Sequence, residues 1–65
     1  MNRICELRKA LTLRQKDLAE LTGFSQVNIS RYESGQRGLD LETAARIATA
    51  LGCTVDDLIR REESA

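Results

Sequence analysis

Gln15 to Gly35 reads QKDLAELTGFSQVNISRYESG, and this stretch decides the fold. Leu18, Ala19 and Leu21 recur at helical spacing, which predicts a short helix from about Arg14 to Thr22. Gly23 stops it, because glycine enters the left-handed conformation without a Cβ penalty. Phe24 leads into Ser25, whose hydroxyl is placed to accept from the backbone N–H of Val27 or Asn28 and so to start a second helix, Gln26 to Ser34. Ile29 and Tyr32 face inward on that helix, and Gly35 ends it. Ala19 lies four residues before Gly23 and Ile29 six after it, so a small residue stands where the second helix crosses the first.

Working outward, Ile4, Leu7 and Leu11 recur at three and four and predict a first helix from about Asn2 to Ala10. Beyond the loop Gly35 to Gly38, Asp40 is a cap for a fourth helix. Its stripe is Leu41, Ala44, Ala45, Ile47, Ala48 and Leu51, and Gly52 ends it. Thr54 with Asp57 three residues on forms a capping box with Asp in place of Glu, opening a fifth helix whose inner face is Val55, Leu58 and Ile59. There is no proline and no internal repeat, and no run alternates in the manner of a strand. The fold class expected is all-α: a compact five-helix domain containing a helix-turn-helix, one domain over residues 1–65, with 61–65 a frayed polar tail. Helices this short are not stable alone, so all five must share one core.

The 65 residues carry 10 Lys+Arg against 10 Asp+Glu, no His and two cysteines. Cys5 and Cys53 without a histidine cannot complete an ordinary four-ligand zinc site and are too few for a disulfide framework, so two reduced thiols in a cytoplasmic protein are expected. No apolar run approaches the roughly 20 residues of a membrane span, and the start of the chain has no apolar signal region. Two aromatics, Phe24 and Tyr32, make no stacking platform for single strands. With no His, metal cluster, phosphate-cradling loop or nucleophile–base pair, an enzyme is not expected, nor is a cofactor or a small-molecule ligand. Zero net charge taken alone argues against nucleic acid. The charge is nevertheless polarised: residues 1–38 hold seven bases against four acids, and residues 39–65 three bases against six acids.

The chain resembles the Cro and phage-repressor type of helix-turn-helix domain from Ile4 to Ile59. The matching pieces are IxxLR at Ile4 to Arg8, LxQxxLAxLTG at Leu13 to Gly23, SQVNISRYESGQR at Ser25 to Arg37, LETAxxIAxALG at Leu41 to Gly52 and TVDDLI at Thr54 to Ile59. Their order and spacing agree without a gap. The resemblance implies sequence-specific binding to double-stranded DNA, usually as a homodimer and usually for transcriptional control. A protein of another class, an antitoxin or adaptor that binds a partner protein with DNA binding secondary, is the alternative.

By the same resemblance Gln15 matches a glutamine that touches the DNA backbone and braces the recognition helix. Gln26, Val27, Asn28 and Arg31 match positions that face the major groove, and Arg37 a basic loop residue near the backbone. The chemistry of these residues agrees independently. Gln26 and Asn28 carry amides suited to adenine N6/N7, Val27 suits a thymine methyl, and Arg31 can fork onto guanine O6/N7. Residues 27, 28 and 31 are expected on one face, opposite Ile29 and Tyr32. Ser34, Gln36 and Arg37 are placed for phosphates, and Arg14 adds a backbone contact. Other readings stand beside these: Gln15 as a helix cap, Arg31 paired near Glu33, Val27 at the core edge, Cys5 on the outer side of the first helix. The exposed part of the Val55, Leu58 and Ile59 surface is the expected dimer contact.

Three positions depart from the family pattern. Arg14 stands where Ser or Thr usually caps, a loss of about 1 kcal/mol unless Gln15 or the Thr12 hydroxyl substitutes. Thr12 stands where glycine is common, and Leu39 where proline is common.

Overall fold

Short-range capping chemistry sets where each helix of this chain begins and ends. In the computed structural model, which describes residues 2–59, five helices follow in order: α1 Ile4–Ala10, α2 Gln15–Thr22, α3 Gln26–Ser34, α4 Leu41–Leu51 and α5 Val55–Ile59. The tail at 61–65 lies outside the described residues. Ser25 Oγ accepts from Asn28 N at 3.1 Å, and Asp40 Oδ1 from Thr43 N at 2.8 Å. The box at α5 closes both ways, with Asp57 N donating to Thr54 Oγ1 at 3.0 Å and Thr54 N to Asp57 Oδ2 at 3.1 Å. Each such cap satisfies backbone N–H groups that the helix itself leaves unpaired.

Two ends differ from expectation. α1 begins at Ile4 rather than Asn2, and Asn2 stands before the helix, where its Oδ1 accepts from Ile4 N at 3.1 Å and its Nδ2 donates to Tyr32 O at 2.8 Å. At α2 neither Gln15 nor Thr12 replaces the missing cap. Asp17, on the first turn, reaches back instead, and its Oδ2 accepts from Arg14 N at 2.9 Å and Arg14 Nε at 3.3 Å.

α1 ends in a Schellman motif: Thr12 N donates to Lys9 O at 2.9 Å and Leu13 N to Arg8 O at 3.1 Å. The residue at its left-handed position is Thr12, at φ 58°, the single non-glycine residue with positive φ among those described. The preference for glycine here thus has a direct backbone cause.

One core joins all five helices. Ile4, Leu18, Ile29, Ile47 and Leu58, one from each helix, are its largest fully buried side chains, and Ala19, Ala44 and Ala48 let the helices approach. α2 packs on α3 and α4, α1 on α3 and α4, and α5 on α4. Several residues expected in the core lie outside it. Leu21, Leu41, Ala45 and Ile59 are exposed, Leu41 to 76%. The buried stripe of α4 is Ala44, Ile47, Ala48 and Leu51, and Leu41 and Ala45 lie about 70° and about 110° round from its centre. Among the described residues no helix is long and apolar enough to cross a membrane.

Candidate nucleic-acid interface

The turn between α2 and α3 presents α3 to solvent. Gly23 takes φ 82° and its N–H closes on Ala19 O at 2.8 Å. Thr22 Oγ1 donates to Leu18 O at 2.8 Å and accepts from Phe24 N at 3.3 Å, so the turn is stitched on both sides of the glycine. Ala19 is buried at the α2–α3 contact, as its small size requires.

A charged cluster braces α3 from behind, beside the buried Ile29 and Tyr32. Arg8 of α1 grips Glu33 of α3 in a bidentate pair, Nε to Oε2 at 2.6 Å and Nη2 to Oε1 at 3.2 Å. The two side chains are only 9% and 8% exposed. Arg8 Nη1 also donates to Leu13 O at 2.7 Å, and Gln15 Nε2 donates to Glu33 Oε1 at 3.1 Å. Burial pushes the Glu33 carboxyl up, but hydrogen bonds from Arg8 and Gln15 and the Arg8 charge prevail and hold it below the ordinary glutamate value. The same hydrogen bonding raises Arg8 against its burial. A planar guanidinium suits this site because it satisfies a carboxylate and a carbonyl at once.

Neither Arg8 nor Glu33 is expected from the sequence as part of the site. Their signal was positional: Arg8 follows Ile4 by four and Glu33 follows Ile29 by four, so each charge sits on the buried stripe of its own helix. Cys5, expected on the outer side of α1, is half-buried, and its Sγ lies 3.4 Å from Arg8 Nη2.

Gln15, Gln26, Val27, Ser30, Arg31 and Gln36 surround one open groove. Gln26, Val27 and Arg31 are exposed, and Val27 is not at the core edge. Arg31 does not pair near Glu33, whose oxygens are taken by Arg8 and Gln15; it makes no ion pair among the described residues. Gln15 braces α3 rather than capping α2, and one of its two amide protons remains for a further acceptor. Asn28 is not brought to the groove. It lies about 200° round α3 from Gln26 and is half-buried at the flank. Ser30, missed in the sequence reading, lines the groove because it stands four residues after Gln26 on the same face.

The loop after α3 carries the remaining candidates. Ser34 Oγ donates to Arg31 O at 3.2 Å and accepts from Gln36 N at 3.4 Å, so its one proton is used in bracing the loop. Arg37 N donates to Arg31 O at 3.3 Å and its guanidinium lies 5.9 Å over the Tyr32 ring, which in turn meets Phe24 edge-on. Arg14 projects into solvent at the start of α2, its side chain 79% exposed. The expected dimer surface changes: Leu58 is 0% exposed and belongs to the core, and Val55 is half-buried against it. Only Ile59, at 48%, is open.

Comparison with known proteins agrees with this geometry. The chain is 35% identical over 63 residues to the HTH-type transcriptional regulator AnsR of Bacillus subtilis, covering 97% of this chain and 54% of that protein. It is 34% identical over 59 residues to the cryptic phage CTXphi transcriptional repressor RstR of Vibrio cholerae, covering 91% and 53%. The chain thus spans about half the length of these two curated relatives. Among solved structures, the P22 c2 repressor in complex with a synthetic operator superposes with TM-score 0.83 at 33% identity, covering 92% of this chain and 91% of that one. The restriction-modification controller protein C.AhdI of Aeromonas hydrophila superposes with TM-score 0.83 at 37% identity, covering 88% and 86%. A family model described as Helix-turn-helix matches residues 5–58, and the chain belongs to this family, in its Cro and phage-repressor branch.

Proposed function

We propose that this chain is a small transcriptional regulator, a repressor, that binds double-stranded DNA as a homodimer with α3 in the major groove. One observation carries the reading: Gln26, Val27 and Arg31 stand exposed around one groove, on a helix braced from behind by the Arg8–Glu33–Gln15 cluster. Residues that read bases need free donors, acceptors and methyl groups on a rigid element. The likeness to a repressor solved on its operator supports the same reading.

In this reading Gln26 makes paired hydrogen bonds to an adenine, Val27 meets a thymine methyl and Arg31 forks onto a guanine, with Asn28 at the flank. Gln15, through its second amide proton, Arg14, Gln36 and Arg37 hold phosphates, while Ser34 shapes the loop that carries Gln36 and Arg37. Ile59, with the open edge of Val55, forms the contact between two copies, placing two α3 helices in successive major grooves about 34 Å apart. Zero net charge leaves little non-specific attraction to phosphate, so base contacts and dimerisation carry the affinity.

Selection of binding sites from random DNA tests this directly. A near-palindromic site should emerge, with Gln26→Ala losing about 1–3 kcal/mol at one position of each half-site and Arg37→Ala weakening all sequences alike. Equal losses on selected and random DNA for Gln26→Ala would refute direct readout.

A further inference from the structure

We infer that Asn2 is a positioning residue: with the neighbouring Arg3 N–H it straps the C-terminal end of α3 to that of α5, and so sets the separation of the two α3 helices in a dimer. The inference rests on the dimer contact proposed at Ile59. Helix ends leave their last carbonyls without intrahelical partners. Two of these, on different helices, are taken by two consecutive residues ahead of α1. Asn2 Nδ2 donates to Tyr32 O in the last turn of α3, and Arg3 N donates to Leu58 O near the end of α5, each at 2.8 Å. The strap is itself anchored. Asn2 Oδ1 accepts from Ile4 N at 3.1 Å, and Arg3 O accepts from Leu7 N at 2.9 Å, the first bond of the α1 ladder.

α3 packs chiefly on α2, and α5 on α4, so the helix that reads DNA and the helix that carries Ile59 are held by different neighbours. The Arg8–Glu33 pair also ties α1 to α3, but through two side chains, whereas Asn2 grips the α3 backbone itself. In a two-fold dimer that meets at Ile59, the place of each α3 relative to the axis is passed from Ile59 to the adjacent Leu58 O, through Arg3 and Asn2, to Tyr32 O. Two reading helices held at one separation match half-sites one helical turn apart without further ordering on binding. A looser α3 still reads one half-site but discriminates less between spacings of two.

Two variants separate the strap from the local turn. Asn2→Ala removes both the bond to Tyr32 O and the one from Ile4 N, whereas Asn2→Ser keeps an oxygen for Ile4 N but is too short to reach Tyr32 O. Each is titrated beside the wild-type chain against three duplexes: a single half-site, the full site selected from random DNA, and that site with one base pair inserted between its halves. Both variants should bind the half-site as the wild type does, while their preference for the full site over the inserted one falls about 3- to 10-fold, the loss of one ordinary hydrogen bond. Undiminished preference in Asn2→Ser would overturn the inference, even if Asn2→Ala lost it, since the bond from Ile4 N would then be the one that matters. Equal weakening on all three duplexes would also overturn it, showing a role in the stability of the fold alone. A wild-type chain that binds the full site no more tightly than the half-site would overturn the dimer reading and the role of the strap with it. A wild type that discriminates the spacings, matched by both variants, removes only the role of Asn2.

Discussion

Replacing Thr12 by glycine should stabilise the domain, which is an uncommon direction for a point substitution. The molecule supplies its own comparison, because α1 and α4 end in the same motif. After α4, Gly52 N donates to Thr49 O at 3.2 Å and Cys53 N to Ala48 O at 2.9 Å, matching the pair that Thr12 and Leu13 make with Lys9 and Arg8. Gly52 takes φ 71° where Thr12 takes 58°. A β-branched L-residue in this region is strained by about 1–2 kcal/mol. Glycine removes that strain but widens the unfolded ensemble, which returns about 0.4–1 kcal/mol. Thr12 is exposed, so little packing is lost. The net gain is about 1 kcal/mol, or about 4–8 °C in Tm for a chain of this size. Thermal unfolding followed by circular dichroism, with urea melts at 25 °C, measures it. Thr12→Ala serves as a control that keeps a Cβ at positive φ and should leave Tm nearly unchanged. The reciprocal Gly52→Ala should lose about 1 kcal/mol, through conformation alone, since a Cβ there meets nothing within 4 Å. A Thr12→Gly variant no more stable than Thr12→Ala would refute the claim that strain resides at this residue.

Other outcomes follow from the charged cluster and the open end of α5. Glu33→Ala should cost about 3–5 kcal/mol, because it leaves the Arg8 guanidinium buried without its carboxylate, and urea denaturation reads this directly. Because the folded Glu33 titrates below its unfolded value, its contribution is complete above about pH 4.3 and disappears as the pH falls through the folded value. Asp17, held low by the Arg14 backbone N–H and side chain, and Asp40, held low by Thr43, act in the same sense. Urea midpoints should therefore fall between pH 5 and pH 2, and fall less steeply in Glu33→Gln. Ile59→Glu should reduce dimerisation in sedimentation at micromolar concentration without lowering Tm, since Ile59 is open while Leu58 beside it supplies the burial.

Helix ends, the turn and the helix-turn-helix itself were legible in the sequence because their causes are local. Ser25, Asp40 and the Thr54–Asp57 box act within three residues of the backbone they cap, and Gly23 acts through its own φ. Thr12 could be marked as a departure from glycine for the same reason. Arg8 and Glu33 are different: 25 residues separate them, and each by itself looks like one more surface charge. What joins them is the angle at which α1 packs across α3, and that angle follows from the whole core. The same dependence decides which side of α3 faces outward, and at α5 it encloses Leu58 while leaving Ile59 open. A helix rotated by one residue, about 100°, keeps its caps and changes every side chain it presents. The sequence alone thus determined which segments are helices and what chemistry they carry, through interactions spanning a few residues. Tertiary packing decided which side of each helix faces the core and which faces outward, because rotation about a helix axis is settled only by the other helices that share its buried face.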